Sequence, residues 1–371
     1  MDQPAASRAG LSIGREHFVP DIIWVPASGG YRTICRTRDP LRWQAVVALD
    51  DAVVTQVDDG GTRPGRLGRR SSSSSSQPSL VAAMLKAARL APGMRVLEIG
   101  TGTGWTAALL SDRLGSAAVT TVEVDPDLAE RARAAIQLAG FEPTVVTGDG
   151  AAGYPPNAPY DRVLATCSVS RVPHAWIRQC RPGGQVITPW GTEFSNGALA
   201  RLAVAGDGTA AGRFDSMSLS FMRLRAQRAA PCPWDADGPG RPQTSVTGLA
   251  SERVYELVTP PGAFAVGLLV PDCHKIIDED DLVVRLHDPG SGSWARCAVT
   301  AGAATHPVAQ HGPRRLWDEA VHAFTWWVGQ GRPGLSRFGL TVTTDRELAW
   351  LDDPANVVPG GPAVPAVRPP G

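Results

Sequence analysis

Residues 95–106 read Arg-Val-Leu-Glu-Ile-Gly-Thr-Gly-Thr-Gly-Trp-Thr, a short apolar run closed by three glycines spaced two apart. Met94, Val96, Leu97 and Ile99 suit a strand, Gly100, Gly102 and Gly104 let the backbone turn tightly and approach a ligand, and residues 105–114 carry the apolar spacing of a helix. A strand, a glycine turn and a helix start in that order make a nucleotide cradle, which commits the surrounding chain to an α/β arrangement with ligands at the carboxyl ends of its strands.

The glycine spacing separates one nucleotide from another. A dinucleotide fingerprint needs Gly-x-Gly-x-x-Gly, and the sixth position here is Trp105. Glu98 puts a carboxylate just before the first glycine, where a pyrophosphate is repelled and a cationic ligand gains. S-adenosyl-L-methionine, with S-adenosyl-L-homocysteine as its product, has the charge that fits. Nineteen residues beyond Gly104, the run Val119 to Val122 ends at Glu123, about the offset at which a βαβ unit sets an acid on ribose hydroxyls. Either feature alone suits an ordinary βα turn and a surface carboxylate; together they indicate the sulfonium cofactor.

Periodicity around the cradle alternates. Helices are expected over 78–90, 105–115, 126–139 and 172–180, and strands over 118–122, at Val145-Val146, over 160–165 and over 185–188. Such alternation argues a doubly wound, mainly parallel sheet with right-handed crossovers. Upstream, 22–25, 43–49 and 52–57 are strand-like and suggest a β-rich lid, following a flexible leader over 1–14. Ser71 to Ser76 read on composition as a hinge. Downstream, a Pro- and Gly-rich linker over 231–244 precedes a second unit with strands expected at 253–258, 263–270, 282–286, 294–299 and 338–343. One helix is expected over 313–328, its aromatic stripe facing a core. The tail from Pro354 reads as disordered.

Lys and Arg balance Asp and Glu at 36 each, so no net field draws the chain to nucleic acid or to an anionic membrane. No apolar run approaches the ~18 residues of a membrane span and the start lacks the charged and apolar regions of a secretory signal, so a cytoplasmic location is expected. Cys35, Cys167, Cys180, Cys232, Cys273 and Cys297 are scattered without Cys-x-x-Cys pairs, so neither a metal site nor a disulfide framework is expected.

Several separate segments over 76–204 together resemble the protein-L-isoaspartate O-methyltransferase family: Ser76-Gln77-Pro78 with Val81-Ala82-x-Met84, the cradle itself, Gly148-Asp149-Gly150, Ala158-Pro159-Tyr160-Asp161, Val172-Pro173, Gly183-Gly184 and Pro189-x-Gly191. Upstream, Arg15-Glu16-x-Phe18-Val19 looks like the family's amino-terminal motif. The resemblance implies a Rossmann-like class I methyltransferase sheet over 76–230, to which the residue pattern adds an N-terminal β-rich extension (1–75) and a smaller C-terminal α+β domain (245–353). It implies cofactor contacts from Glu98, Gly100, Thr101, Gly102 and Gly104, ribose contacts from Glu123 with Val124, and adenine contacts from Gly148, Asp149 and Gly150. Thr166, Cys167, Ser168 and Val169, at the mouth of the fourth strand, match the family's substrate-side loop by position only, with Thr166 expected on the cofactor side. Ser76 is the catalytic candidate, beside the transferable methyl, flanked by Ser75 and Gln77 on the substrate side, with Ser71 to Ser75 as a flexible approach.

The chain also departs from the family. The connection from Phe18 to Ser76 is much longer than usual, serines replace the usual Thr-Ile before Ser76, and residues beyond 230 add a domain. Extended members of this kind resemble peptide-tailoring enzymes that methylate an aspartate in a ribosomally made, often macrocyclic, peptide, whose ester collapses to a succinimide (aspartimide) and can open to isoaspartate. Repair of isoaspartyl proteins, methylation of a small molecule and non-catalytic peptide binding are the alternatives.

Overall fold

The structure is a computed structural model describing residues 10–229, 238–278 and 282–360. Two strands, β1 (Ile22–Ala27) and β2 (Gly30–Cys35), form a hairpin whose turn holds Gly29 at φ +75°. The strand expected over 43–49 is instead helix α1 (Pro40–Val47). Asp39 accepts from Arg42 N at 3.2 Å, Pro40 opens the first turn, and Trp43 and Val47 bury one face. Strands β3 (Val53–Val57) and β4 (Ser71–Ser75) complete a sheet of order β2-β1-β3-β4, and Val19, Ile23, Ile34, Trp43, Val47 and Val53 share its core.

Strand β4 corrects the reading of Ser71 to Ser75 as a flexible approach. Val53 pairs with Ser75 and Val54 with Ser74. Ser72, Ser73 and Ser75 are buried, and two of their hydroxyls are bonded: Ser72 Oγ donates to Gln56 Oε1 at 2.8 Å and Thr55 Oγ1 to Ser73 Oγ at 3.3 Å. Tertiary pairing overrides the low-complexity composition. The leader is anchored at its described end too, for Trp105 Nε1 donates to Ile13 O and Ser12 Oγ to Asp112; residues 1–9 lie outside the described residues.

Helix α2 (Pro78–Ala88) leads into β5 (Val96–Ile99), α3 (Trp105–Leu114), β6 (Val119–Glu123), α4 (Pro126–Leu138), β7 (Thr144–Thr147), β8 (Tyr160–Ala165), a short α5 (His174–Gln179) and β9 (Cys180–Trp190). The strand order β9-β8-β5-β6-β7, with parallel pairing throughout, is the doubly wound arrangement expected. Strand β5 lies at its centre with all four residues buried. Strand β9 starts earlier than the 185–188 expected and takes in Gly183-Gly184; α5 is correspondingly shorter.

Two compact units interleave along the chain: Met1–Cys167, Ala175–Thr188 and Met222–Ala226 form the first, and Ser168–His174, Pro189–Phe221 and Gln227–Gly371 the second. In the second, β10 (Ala198–Val204) and β11 (Ala210–Ser218) pair with each other, and β11 pairs in turn with a strand from the far end of the chain, Phe338–Val342. Strand β12 (Gln243–Thr247) begins in the last two residues of the stretch expected as linker, whose residues 231–237 lie outside the described residues. The strands expected at 253–258 and 263–270 are helices α6 (Ser251–Val258) and α7 (Gly262–Leu269). In α6, Val254, Leu257 and Val258 bury one face; α7 is apolar all round and nearly wholly buried, a run that periodicity cannot separate from a buried strand.

Strands β13 (His274–Asp278), β14 (Val283–Asp288), β15 (Ser293–Ala298) and β16 (His306–His311) make a sheet of order β12-β16-β15-β14-β13. Helix α8 (Leu316–Gly329) buries Leu316, Trp317, Phe324 and Trp327, so its aromatic stripe is core. The chain returns in β17 (Phe338–Val342), antiparallel to β11, and β18 (Glu347–Leu351), antiparallel to β17. The tail read as disordered is fixed through Gly360 at least at Val358, which is buried and donates its N–H to Ala349 O; residues 361–371 lie outside the described residues. Among the described residues no helix is long and apolar enough to cross a membrane, no cluster of His, Cys, Asp and Glu could hold a metal, and five cysteines are free; Cys232 lies outside them.

Candidate active site

The cradle forms where β5 ends. Gly100 N and Thr101 N both bond to Val122 O, and Gly100, Gly102 and Gly104 take φ of +94°, +55° and +88°, a left-handed run that a residue with a Cβ enters only under strain. The three glycines serve different ends. A Cβ on Gly100 would stand 2.9 Å from Thr166 Oγ1, and one on Gly104 would stand 2.9 Å from Ile136 of α4, so these two let neighbours close in. A Cβ on Gly102 would stand 3.5 Å from Ser74 O, which places the serine strand beside the middle of the turn.

Glu98 is wholly buried. Its Oε2 accepts from Thr121 Oγ1 at 2.7 Å, Thr121 shares a contact of 2.7 Å with Thr101 Oγ1, and Oε1 has no partner among the described residues. Burial holds the Glu98 carboxyl up at about 8, the Glu123 carboxylate adding and the Thr121 hydroxyl opposing. Glu123 ends β6 and accepts from Gly102 N at 2.9 Å and Asp125 N at 3.1 Å, burial again raising its pKa. Val124 is 37% exposed. Gly148 N donates to Glu123 O at 2.8 Å, Asp149 is exposed with its carboxylate accepting from Ala151 N, and Gly150 is buried against Ile99 with its carbonyl accepting from Trp176 Nε1.

Ser76 sits half-buried between β4 and α2. Its carbonyl accepts from Arg15 Nη1 at 3.0 Å, and the same guanidinium donates to the carbonyls of Val47, Leu49 and Asp51. Burial lowers Arg15 to about 10 while Asp50 and Asp51 counter it. Ser75 Oγ is buried without a partner among the described residues, and Gln77 Nε2 donates to Ser79 Oγ at 2.9 Å.

A closed polar ring, which sequence reading missed, joins the serine strand to the end of β6. Asp59 N donates to Ser72 Oγ, Ser72 Oγ to Gln56 Oε1, and Gln56 Nε2 to Asp125 Oδ2 at 3.0 Å; Arg225 then pairs with Asp125 at 3.7 Å and Asp59 at 3.3 Å. Only Asp125 carried a readable signal, as a helix cap before Pro126, and it accepts from Asp127 N and Leu128 N.

At the end of β8, Thr166 Oγ1 donates to Gly100 O at 2.5 Å and burial pushes the Cys167 thiol up to about 12. Ser168 and Val169 belong to the second unit and are fully buried. Ser168 Oγ donates to Phe221 O at 3.1 Å, and Val169 bridges Trp190. Both therefore hold the loop, and Ser170 and Arg171 are its half-buried members.

Residues 64–225 match the family model for Protein-L-isoaspartate(D-aspartate) O-methyltransferase (PCMT). A protein-L-isoaspartate O-methyltransferase 2 of Polaromonas sp. is 38% identical over 154 residues, 41% of this chain and 72% of that protein. The chain belongs to the protein-L-isoaspartate O-methyltransferase family. Enzymes of that family from Ignicoccus hospitalis (45% over 116 residues, 31% of this chain and 55% of theirs) and Thermococcus onnurineus (46% over 119, 32% and 54%) are further relatives. The chain spans about half the length of these last two. A solved protein-L-isoaspartate O-methyltransferase structure shares the fold at a TM-score of 0.51 and 22% identity, covering 95% of this chain and 96% of its own.

Proposed function

We propose that this chain is an S-adenosylmethionine-dependent carboxyl O-methyltransferase that esterifies an aspartyl side chain in a ribosomally made, constrained peptide, the ester then closing to a succinimide. The observation that carries the reading is the serine strand packed beside the glycine turn, with Ser74 O next to Gly102 and Ser76 two residues on. The cradle suits the cofactor: Gly102 leaves room for a close approach, and the buried, unpartnered Glu98 Oε1 is an acceptor that a cation would satisfy.

When bound, the cofactor supplies a sulfonium methyl that is already electrophilic. The chain's own task is alignment more than base catalysis, because an ionised carboxylate needs no proton removed before it attacks. The Ser76 hydroxyl holds one acceptor oxygen while the other faces the methyl, with Arg15 fixing the serine's carbonyl. Glu123, with Gly102 N and Asp125 N on its two oxygens, orients the ribose, and Asp149 with Gly150 flanks the adenine. After esterification the next backbone nitrogen of the peptide attacks the ester carbonyl and methanol leaves, an intramolecular step that requires no group from the protein.

The names of the relatives favour a second reading, methylation of isoaspartyl residues in damaged proteins. The experiment offers the chain and cofactor two peptides, one linear with isoaspartate and one constrained with Asp-Gly. Under the first reading the constrained peptide gains the mass of a methylene and then loses methanol. Turnover of the linear isoaspartyl peptide alone would replace that reading with the second.

A further inference from the structure

The loop leaving β8 is gripped by residues beyond the stretch that matches the family. Gln227 Oε1 accepts from Ser170 N at 2.9 Å, Ser170 Oγ at 3.3 Å and Arg171 N at 3.1 Å, while Gln227 Nε2 donates to Arg171 O at 2.7 Å. Glu347 Oε1, on β18, accepts the next amide, Val172 N. Three consecutive amides thus end on two side chains at positions after 225, where the family match stops. The loop's other fastening leads the same way. Val169 bridges Trp190, whose ring meets Phe214 at 5.4 Å and Phe264 of α7 at 5.9 Å, and Phe264 meets Phe338 of β17 at 5.6 Å.

Ligands of an open α/β sheet gather at strand carboxyl ends, and this loop departs from Thr166, which touches the cradle at Gly100. An amide side chain that caps both the N–H and the C=O of one residue sets the direction of that residue's side chain, here Arg171. We infer that Gln227 and Glu347 are positioning residues: they set the backbone of Ser170 to Val172 and so shape what acceptor peptide the enzyme takes. The C-terminal half thereby determines specificity through two side chains, without supplying a group to methyl transfer. This rests on the proposed methyl transfer to a peptide and on the loop's place at the carboxyl end of β8.

The test uses the full-length chain with Gln227→Ala, Glu347→Leu and Glu347→Gln. Amide exchange at Ser170 and Arg171 accelerates in Gln227→Ala, and exchange at Val172 accelerates in Glu347→Leu but stays near wild type in Glu347→Gln, which keeps an acceptor oxygen. In parallel, the KM for the methylated peptide rises about ten-fold in the first two variants, with cofactor affinity unchanged and near-normal KM in Glu347→Gln. Gln227 is half-buried, so its variant still reads out if Glu347→Leu fails to fold. Unaltered amide exchange in Gln227→Ala, or faster exchange with an unchanged peptide KM, overturns the inference. A wild-type chain that binds cofactor yet methylates neither peptide defeats the functional reading itself, and the inference falls with it.

Discussion

Ser76 and Glu98 are the two residues to which the proposed function gives the methyl-transfer roles, and each has its own test. Ser76→Ala is expected to lower kcat roughly 10–100-fold while cofactor affinity, measured by calorimetry, stays within error. Equal loss of both would make the serine a structural element of the strand end. Glu98 is expected to announce itself through pH. Its carboxyl titrates at about 8 in the fold against 4.5 ordinarily, so the folded state holds a proton that the unfolded chain has released. Its contribution is full below the lower value and is lost as pH rises through the upper one, so ligand-free stability falls across this window. Glu98→Gln should flatten that slope in urea titrations; an unchanged slope would assign it elsewhere. The glycines, Glu98 and Glu123 were legible because backbone reach and charge leave a trace in spacing. Arg15 was legible only as part of a resemblance, since its role, four carbonyls around one guanidinium, depends on a helix end and loops distant in sequence.

At the level of elements, two of the misread segments share one cause. Strand β4 is five serines of apparent linker, and α7 is eight residues of an apolar run that periodicity leaves undecided between strand and helix. In both, the partner chooses the conformation: β3 for the serines, and the buried surroundings of α7 for the apolar run. The cradle elements were legible because propensity, turn chemistry and period agree there. Helix α3 enters against α4 through Gly104, at φ +88° and within 2.9 Å of Ile136 at its missing Cβ. Gly104→Ala therefore combines backbone strain with a clash, and chemical denaturation should show a loss of about 1–3 kcal/mol. A loss within a few tenths would mean that α4 yields freely.

For the whole molecule, the matching of 64–225 to one family gives no licence to treat the rest as an appendage. Strand β11 has β17 along one edge, and β17 arrives from the far end of the chain. Deleting 245–371 should therefore yield a chain that aggregates and unfolds without a cooperative transition. A monodisperse truncation with a sharp melt and intact peptide turnover would show the C-terminal half to be dispensable. Interleaved units of this kind were invisible to a left-to-right reading, because composition changes along the chain while packing partners are drawn from both ends of it.

The grip of Gln227 and Glu347 on Ser170 to Val172 also carries a calendar. A ribosome adds residues in order, and domains fold as their parts emerge. The amides of the loop are made well before Glu347, so Val172 waits, its partner still unwritten, through the synthesis of some 175 further residues. The loop from Ser170 to Val172 thus sets long after it is made, and a nascent chain stalled short of Glu347 should leave it open to protease while the cradle upstream is already closed.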